Sequence, residues 1–545
     1  MSQSLAAVWE TVADTVPDAT AVVQGSRRVS WAEYEQRAAR LAQACLDAGL
    51  GPHSKVGIYL HNSPEYCEAN FGAMKFRGVP INVNYRYLDT ELEYLLDDAD
   101  VEALVFSSSL GDRVERVRHR LPQLKLLVEV DDGPSGDGST HLEHALPYTE
   151  LQQAFEPAPR VNPEGDEVYV FYTGGTTGMP KGVVYSMSDF TAFLTQVYPT
   201  LVGLQPIEGP DDVAPRVQEL RDTASAPVAI PGPPLMHGTG CWFGVLGPHV
   251  LGGTAVLLES RGLDPEEAWD AVERESVQQL IIVGDAFAKP LLRSLDDKPD
   301  RWNLGGLKAL VSSGAMFSTD VKLSLLDHLP DLVVVDLLGS TEGGMGRSIM
   351  AKNAPVAQTA EFEVEPSTKV FDDNDREVEP GSGEVGIVGT SGGLMPIGYH
   401  KDPEKTARTF RSIGGVRYSF PGDMATVESN GAITLLGRGS SCINTGGEKV
   451  FPEEVEEVLK THPAVEDSLV FGRPDERFGS RVVGIVSLSP GATASTKDVI
   501  DDSKLRLASF KVPRELLIVD LVPRAPNGKA DYPEAQVLFD QRQGA

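Results

Sequence analysis

The chain has 545 residues, a formal net charge of −31, 41% hydrophobic residues and 23% charged residues. That length exceeds one ordinary core, so two or more domains of a globular protein are expected. The acidic balance argues against nucleic acid or an anionic membrane as the main partner, since both attract basic surfaces.

Four cysteines, Cys45, Cys67, Cys241 and Cys442, are scattered without a CxxC pair, so neither a disulfide framework nor a zinc site is expected. No apolar run approaches the ~18 residues of a membrane helix. The first Lys or Arg is Arg27, and Glu10 and Asp14 precede it, unlike a signal peptide. A cytoplasmic location is the default expectation.

Residues 1 to about 130 alternate helix and strand signals. Ser30-Trp-Ala-Glu33 is a capping box, with Ala38, Leu41 and Cys45 at helical spacing behind it. Val56 to Leu60 reads as a buried strand, and Asn62, Ser63 and Pro64 open a helix. Val79 to Val83 and Leu104 to Phe106 read as further strands, with a helix over Thr90 to Leu96 between them. This order predicts a parallel sheet with crossover helices. Asp131 to Thr140, with Pro134 and three glycines, reads as a surface loop.

A strand over Val168 to Phe171 leads into Tyr172-Thr-Gly-Gly-Thr-Thr-Gly-Met-Pro-Lys181-Gly182. Gly174, Gly175 and Gly178 allow a tight bend and close approach to a ligand. Consecutive N–H groups in such a turn form an anion nest. Thr173, Thr176 and Thr177 add hydroxyls and Lys181 adds a charge, a combination that favours a polyphosphate held by local donors against the overall field. It is not a Walker A loop, because Pro180 precedes the lysine and Gly182 follows it. A Gly/Thr-rich surface turn is the plain alternative.

Leu204 to Pro234 reads as a long connection with one short helix around Val213 to Ala224. Length of this kind suits a lid or a pocket wall, or mere decoration. His237 then precedes the Gly-Thr-Gly turn before Trp242. Three strands follow that end in small residues, at Gly284-Asp285, Ser313-Gly314-Ala315 and Gly339-Ser340-Thr341-Glu342. Ligands of α/β sheets bind at such carboxyl ends. Glu342 beside Thr341 offers hard oxygen ligands suited to Mg²⁺, or simply a capping or solvated carboxylate. From about Gly383 short strands and turns take over, through Gly422-Asp423 to Gly437-Arg438-Gly439. A compact C-terminal α+β unit follows and ends with Gly528-Lys529 on a turn.

Taken in order, the Thr/Gly/Lys loop, Gly-Ser-Thr-Glu, Pro-Gly-Asp, Gly-Arg-Gly and the terminal Gly-Lys resemble the adenylate-forming superfamily of acyl-CoA synthetases, peptide-synthetase adenylation domains and luciferases. The resemblance covers essentially the whole chain. The run Gly437-Arg-Gly-Ser-Ser-Cys-Ile-Asn-Thr-Gly-Gly-Glu-Lys-Val-Phe-Pro-Glu-Glu looks most like the actinobacterial FadD-type acyl-CoA synthetases, including those acting on sterol-derived carboxylates.

The resemblance implies an α/β fold. A large N-terminal domain, residues 1–438, would carry doubly wound, mostly parallel sheets and a distorted β-barrel. A small mobile α+β domain, residues 439–545, would follow a hinge near Ser440. It implies a two-step ligase with ATP and CoA as cosubstrates and Mg²⁺ as cofactor. A carboxylate would attack the α-phosphorus of ATP, and the thiol of CoA would then displace AMP. By the same pattern, Thr173 to Lys181 would hold the β- and γ-phosphates, and Thr173 and Glu342 would hold Mg²⁺. Ser313, Gly314, Ala315, Leu338, Gly339, Ser340 and Thr341 would line the adenine, with Asp423 and Arg438 at the ribose. His237 would face the acyl carboxylate, Lys529 would bridge carboxylate and α-phosphate, and Gly446 and Gly447 would line the pantetheine tunnel. Arg473, Arg477, Arg481, Lys511 and Arg514 are candidates for a CoA phosphate.

Ser440 stands where an Asp often marks the hinge, Asn444 replaces a frequent lysine, Leu338 a frequent aromatic and Pro421 a Thr. Other readings stay open: adenylation without CoA transfer, either to load a carrier protein or for a luciferase-like oxidation, and a nucleotide-binding scaffold without catalysis. Amino-acid activation would need an acid near His237, where Asp285 is the one nearby candidate. Gly343, Gly344 and Gly346 lack bulk and would admit a wide or branched acid, although an exposed flexible loop would need the same glycines. The oligomeric state is left open, with a homodimer compatible.

Overall fold

A computed structural model of the chain describes residues 4–132, 142–175, 178–352, 361–445, 448–475, 479–526 and 528–543. The loop expected over Asp131 to Thr140 therefore lies mostly outside the described residues, and Thr176, Thr177, Gly446, Gly447 and Arg477 lie wholly outside them. The chain divides into two compact units. The first holds residues 1–344, 349–356 and 392–410, and the second holds 345–348, 357–391 and 411–545.

Near the N-terminus of the first unit the expected parallel sheet is present. Its five strands run in the order Val79–Asn82, Lys55–Tyr59, Val101–Ser107, Leu126–Val130 and Leu146–Pro147, all parallel. The helices before and after its first strand, Lys55–Tyr59, start where the sequence signals them. Ser30 and Ser63 each accept a backbone N–H three residues on, and Pro64 occupies the first turn of its helix.

A second sheet has eight strands, ordered Gly343–Met350, Val333–Ser340, Ala309–Ser313, Gln279–Ile282, Val228–Pro231, Thr254–Leu257, Thr20–Gln24 and Arg27–Ser30. The six strands from Val333–Ser340 to Thr20–Gln24 are mutually parallel. One of them corrects the sequence reading. Val228–Pro231 lies inside the stretch read as a connection, yet it pairs on both sides, with Thr254–Leu257 and Gln279–Ile282. Four residues flanked by prolines carry too little periodicity to announce a strand. The expected helix in the same stretch is present as Val213–Asp222.

A third, antiparallel sheet joins Val168–Gly175, Gly178–Ser186 and Gly398–Tyr399. In the second unit, the region read as a distorted barrel forms a seven-stranded sheet, and a five-stranded sheet follows from Ile443 onward. The step from Ile433–Arg438, in the former, to Ile443–Thr445, in the latter, spans the position read as the hinge. Among the described residues no helix is long and apolar enough to cross a membrane. All four cysteines are free.

Three helices of the first unit are tied by one ammonium. Lys75, whose side chain is fully buried, donates to Glu10 (2.6 Å) and to Glu35 (2.7 Å). These residues come from the helices Pro64–Lys75, Leu5–Thr15 and Trp31–Asp47. Burial raises the Glu10 pKa even against this lysine. Removing one member of a buried ion set strands the rest, which costs about 3–5 kcal/mol. Lys75→Met is therefore expected to lower stability by about that amount in denaturant titration, and Glu10→Gln in the Lys75→Met background to recover part of it.

His249 is fully buried among the rings of Trp9, Trp31 and Tyr34, with Nε2 3.0 Å from the Ala21 carbonyl. Burial pushes its pKa from 6.5 down to about 4. Between those values the unfolded chain binds a proton that the folded chain refuses. The stabilisation is complete above pH 6.5 and is lost as the pH falls toward 4, by about 3 kcal/mol at 1.36 kcal/mol per pKa unit. A His249→Phe variant should show a shallower fall of Tm over that window than the wild type.

Candidate active site

The Gly/Thr-rich stretch is more regular than its sequence reads. The strand read over Val168 to Phe171 continues to Gly175, and its partner begins at Gly178. Thr173 faces Lys181 across the antiparallel ladder, and Gly175 faces Gly178. Gly182 is required by packing, because a Cβ there would lie 2.8 Å from the Tyr172 ring. The side chains of the strand residues from Gly174 to Gly178 fall outside the described part.

The carboxyl ends of two neighbouring parallel strands bring the expected adenine residues together. Ala309–Ser313 and Val333–Ser340 pair with Ser313 opposite Leu337, and Ser313 Oγ donates to the Leu337 carbonyl at 3.0 Å. Gly314 and Ala315 leave the first strand. Leu338, Gly339 and Ser340 end the second, with Leu338 buried. Thr341 and Glu342 form the turn to the next strand. There Glu342 N–H donates to Ser340 Oγ (3.1 Å), and Thr341 Oγ1 to Glu342 Oε2 (3.2 Å). Tyr185, on the lysine-bearing strand, donates its hydroxyl to the Thr341 carbonyl.

Two residues of this centre are not among the expected site residues. Tyr399 pairs with Val183 on the strand that carries Lys181, and its hydroxyl donates to Glu342 Oε1 at 2.6 Å. Lys405 lies in the helix Pro403–Thr409, capped by Asp402, with its Nζ 4.2 Å from the Tyr399 ring centroid. Burial, and then the adjacent Lys181 ammonium, pull the Lys405 pKa down to about 8, against the opposing pull of Glu342 and Asp402. Lys181, Lys405 and Glu342 thus share one neighbourhood, with two cations crowded beside one carboxylate. Lys405 stands more than two hundred residues from Lys181, and only a reading of Gly398-Tyr399 as a strand paired beside the lysine would have exposed it.

His237 precedes the short helix Gly238–Cys241 on a turn fixed from the N-terminal sheet side. Leu235 N–H donates to Asn62 Oδ1 (2.8 Å), and Tyr66 OH donates to the Leu235 carbonyl (3.0 Å). Asp285 is engaged elsewhere. Its Oδ1 accepts from Ser318 N–H (2.9 Å) and Ser318 Oγ (3.1 Å), and its Oδ2 lies 3.7 Å from Lys289. Of the glycines read as pocket space, a Cβ on Gly344 would meet nothing within 4 Å. One on Gly346 would lie 2.7 Å from the Glu363 carbonyl. Gly346 is therefore a backbone-packing position, which corrects that part of the reading.

The remaining candidates lie in the second unit. Asp423, buried, opens the strand Asp423–Val427 and pairs with Arg438 in register. The side chains of Arg438 and Ser440 are outside the described part, and Ser440 falls in the turn Gly439–Ser441. Lys529 is exposed on a turn closed by Ala525 N–H to the Lys529 carbonyl (2.8 Å) and by pairing of Arg524 with Ala530. Arg524 anchors that turn on Asp467 at 2.6 and 2.7 Å. Of the basic residues considered for CoA, Arg473 pairs with Asp540, Arg481 with Glu515 and Lys511 with Glu454.

Residues 9–400 match the family model of AMP-binding enzymes, and residues 454–529 match that of the AMP-binding enzyme C-terminal domain. The 3-oxocholest-4-en-26-oate–CoA ligase of Rhodococcus rhodochrous is 39% identical over 98% of this chain and 95% of its own. A medium/long-chain-fatty-acid–CoA/3-oxocholest-4-en-26-oate–CoA ligase of Mycolicibacterium smegmatis is 37% identical over 99% and 97%. Among solved structures, an anthranilate CoA ligase bound to anthranoyl-AMP superposes with a TM-score of 0.82 at 19% identity, covering 100% of this chain and 98% of its own. ATP-bound MatB from Rhodopseudomonas palustris gives 0.79 at 22% identity, covering 99% and 100%. With a match across most of its length and relatives of this identity from end to end, the chain belongs to the AMP-binding enzyme family.

Proposed function

We propose that this protein is an ATP-dependent acyl-CoA synthetase, an acid–thiol ligase that forms AMP and acts on a fatty or sterol-derived carboxylic acid. The observation that carries the reading is end-to-end identity of 37–39% to ligases named for those two acid classes. The Lys181, Lys405 and Glu342 cluster supports it with a chemistry: local cations gathered for a polyphosphate in a chain of net charge −31.

In the first half-reaction an acyl carboxylate oxygen attacks the α-phosphorus of ATP, the bond to the β-phosphate oxygen breaks, and pyrophosphate leaves. A carboxylate is a weak nucleophile, so rate must come from orientation and charge neutralisation. Thr173, Gly174, Gly175, Thr176, Thr177, Gly178 and Lys181 hold the β- and γ-phosphates, and Lys405 adds a second ammonium there. Ser313 to Ala315 and Leu338 to Thr341 line the adenine, while Asp423 accepts from the ribose hydroxyls beside Arg438. His237 faces the carboxylate, and Lys529 neutralises charge between it and the α-phosphate.

In the second half-reaction the CoA thiolate attacks the acyl carbon and AMP leaves. The C-terminal segment turns about Ser440, taking Lys529 away and bringing Gly446 and Gly447 to the pantetheine. Residues 1–438 and 439–545 are the two working parts in this scheme.

Mg²⁺ fits the donor set. Glu342 offers a carboxylate already oriented by Tyr399 and Thr341, and Thr173 offers a hydroxyl. Among the described residues no group of three or more His, Cys, Asp or Glu is gathered as a metal cage. Mg²⁺ needs none, since it binds through one or two carboxylates plus substrate phosphates and keeps several waters. Bound there, it would offset charge on the phosphate oxygens.

Incubation with ATP, Mg²⁺ and a panel of fatty, sterol-derived and aryl acids, with AMP measured in the presence and absence of CoA, tests the whole reading. AMP release that ignores CoA and instead needs a carrier protein would favour the carrier-loading alternative. No AMP from any acid would leave the non-catalytic scaffold.

Two variants separate the roles. Lys529→Ala is expected to slow acyl-AMP formation by on the order of 10²–10³-fold, while thioester formation from supplied acyl-AMP continues. Equal loss in both steps would remove Lys529 from this role. Lys405→Ala, lacking one charge-assisted contact, should raise KM for ATP roughly 10- to 100-fold, with a smaller change for the acid. Lys405→Arg should restore most of it, as titration of initial rates against each substrate would reveal.

A further inference from the structure

Asn82 ends the strand Val79–Asn82 at the carboxyl end of the N-terminal parallel sheet, and it is 7% exposed. Its amide makes three bonds, all to backbone. Oδ1 accepts from Tyr172 N–H at 2.7 Å. Nδ2 donates to the Tyr172 carbonyl and to the Met236 carbonyl, each at 2.8 Å. The amide orientation is fixed by these partners, because a flipped group would set two donors against an N–H and its oxygen against two carbonyls. Tyr172 immediately precedes Thr173, and Met236 immediately precedes His237. One buried side chain therefore joins the strand that feeds the phosphate hairpin to the turn that carries the histidine.

Neighbouring groups hold one side of this joint. Asn62 and Tyr66 grip the histidine turn at Leu235, and Asp98 accepts from the Tyr172 hydroxyl at 2.6 Å. Asn82 differs from them in bonding to both segments at once. An Asn suits this task, since a single planar group supplies two donors and an acceptor at fixed angles.

We propose that Asn82 is a positioning residue for the adenylation step, setting the distance between the segment that holds the triphosphate and the segment that faces the acyl carboxylate. The inference rests on the ligase reading above. In-line attack by a carboxylate needs its oxygen near 3–3.5 Å from phosphorus, and a displacement of 1 Å costs on the order of 10²-fold in rate. Thiolysis of a formed acyl-AMP does not use the triphosphate segment, so a loosened joint should spare it.

The test compares the two half-reactions in full-length Asn82→Leu and Asn82→Asp proteins, each checked for fold by circular dichroism. In Asn82→Leu, kcat for acyl-AMP formation should fall on the order of 10²-fold, with KM for ATP and acid changing far less. CoA-dependent turnover of supplied acyl-AMP should stay within about threefold, since it bypasses that geometry. Asn82→Asp keeps an acceptor for the Tyr172 N–H but turns an anionic oxygen toward two carbonyls, and protonation returns one donor. Its adenylation rate relative to wild type should therefore climb as the pH is lowered.

Equal losses in both half-reactions, or unimpaired adenylation, would overturn the inference. If Asn82→Leu fails to fold, the half-reaction ratio of Asn82→Asp decides alone. A wild-type chain that adenylates no acid overturns the ligase reading and this inference together, whereas wild-type adenylation without the split overturns this inference only.

Discussion

Two ammonium groups pressed together beside a carboxylate are the physical constraint on which the candidate site turns. In a chain of net charge −31 the long-range field disfavours any polyphosphate. Attraction must be local, short and partly screened from water. The pairing of Gly398–Tyr399 with the lysine strand does this without a basic surface. It sets Lys405 over the Tyr399 ring while the same tyrosine holds Glu342. The cost shows in the depressed Lys405 pKa, where burial comes first and the Lys181 charge second.

A cation pair of this kind needs a backbone that does not yield to it. The hairpin supplies one, since Thr173 and Lys181 are opposite one another in a ladder and not on a free loop. The hairpin is in turn held at Tyr172 by Asn82 and Asp98, both from the N-terminal sheet layer. That layer is itself cross-tied by buried charge. Lys75 joins three helices, and the fully buried Glu68 accepts from Arg37 (2.8 Å) and Tyr148 (2.7 Å). Buried ion pairs add little net stability over apolar packing, but breaking one is costly. Their usefulness here is in fixing which helix faces meet, and hence where the strand ends point.

Much of this was legible in the amino-acid order, and the losses have physical causes. Helix starts were readable because capping is local: Ser63 and Pro64 act within one turn. The parallel strands read as continuous apolar runs, as buried strands do. The strand Val228–Pro231 was hidden, since its identity comes from two neighbours that lie more than twenty residues away. The hairpin reads as a loop because its glycines and Pro180 are depleted in strands and outweigh the threonines, and the pairing comes from partners across the ladder. Tyr399 and Lys405 could be located only after Gly398–Tyr399 was placed beside Val183 and Val184. Gly346 shows the opposite failure. Its small size looked like pocket space but answers to the Glu363 carbonyl.

The breadth of acids proposed for this protein accords with how weakly apolar pockets in general discriminate. One methylene more or less in such a pocket changes selectivity only about 10- to 200-fold, whereas a buried polar contact left unmade is rejected far more strongly. A site that recognises the common carboxylate by charge and the rest by shape will accept acids of quite different skeleton. The names of two relatives couple fatty acids with a sterol acid in one enzyme, as that argument requires of them. In this chain Asp285, the acid nearest the histidine turn in the sequence reading, is spent on Ser318 and Lys289. The one acid weighed for pairing an α-ammonium is thus held by its own neighbours, which supports the proposed fatty or sterol-derived acid over an amino acid.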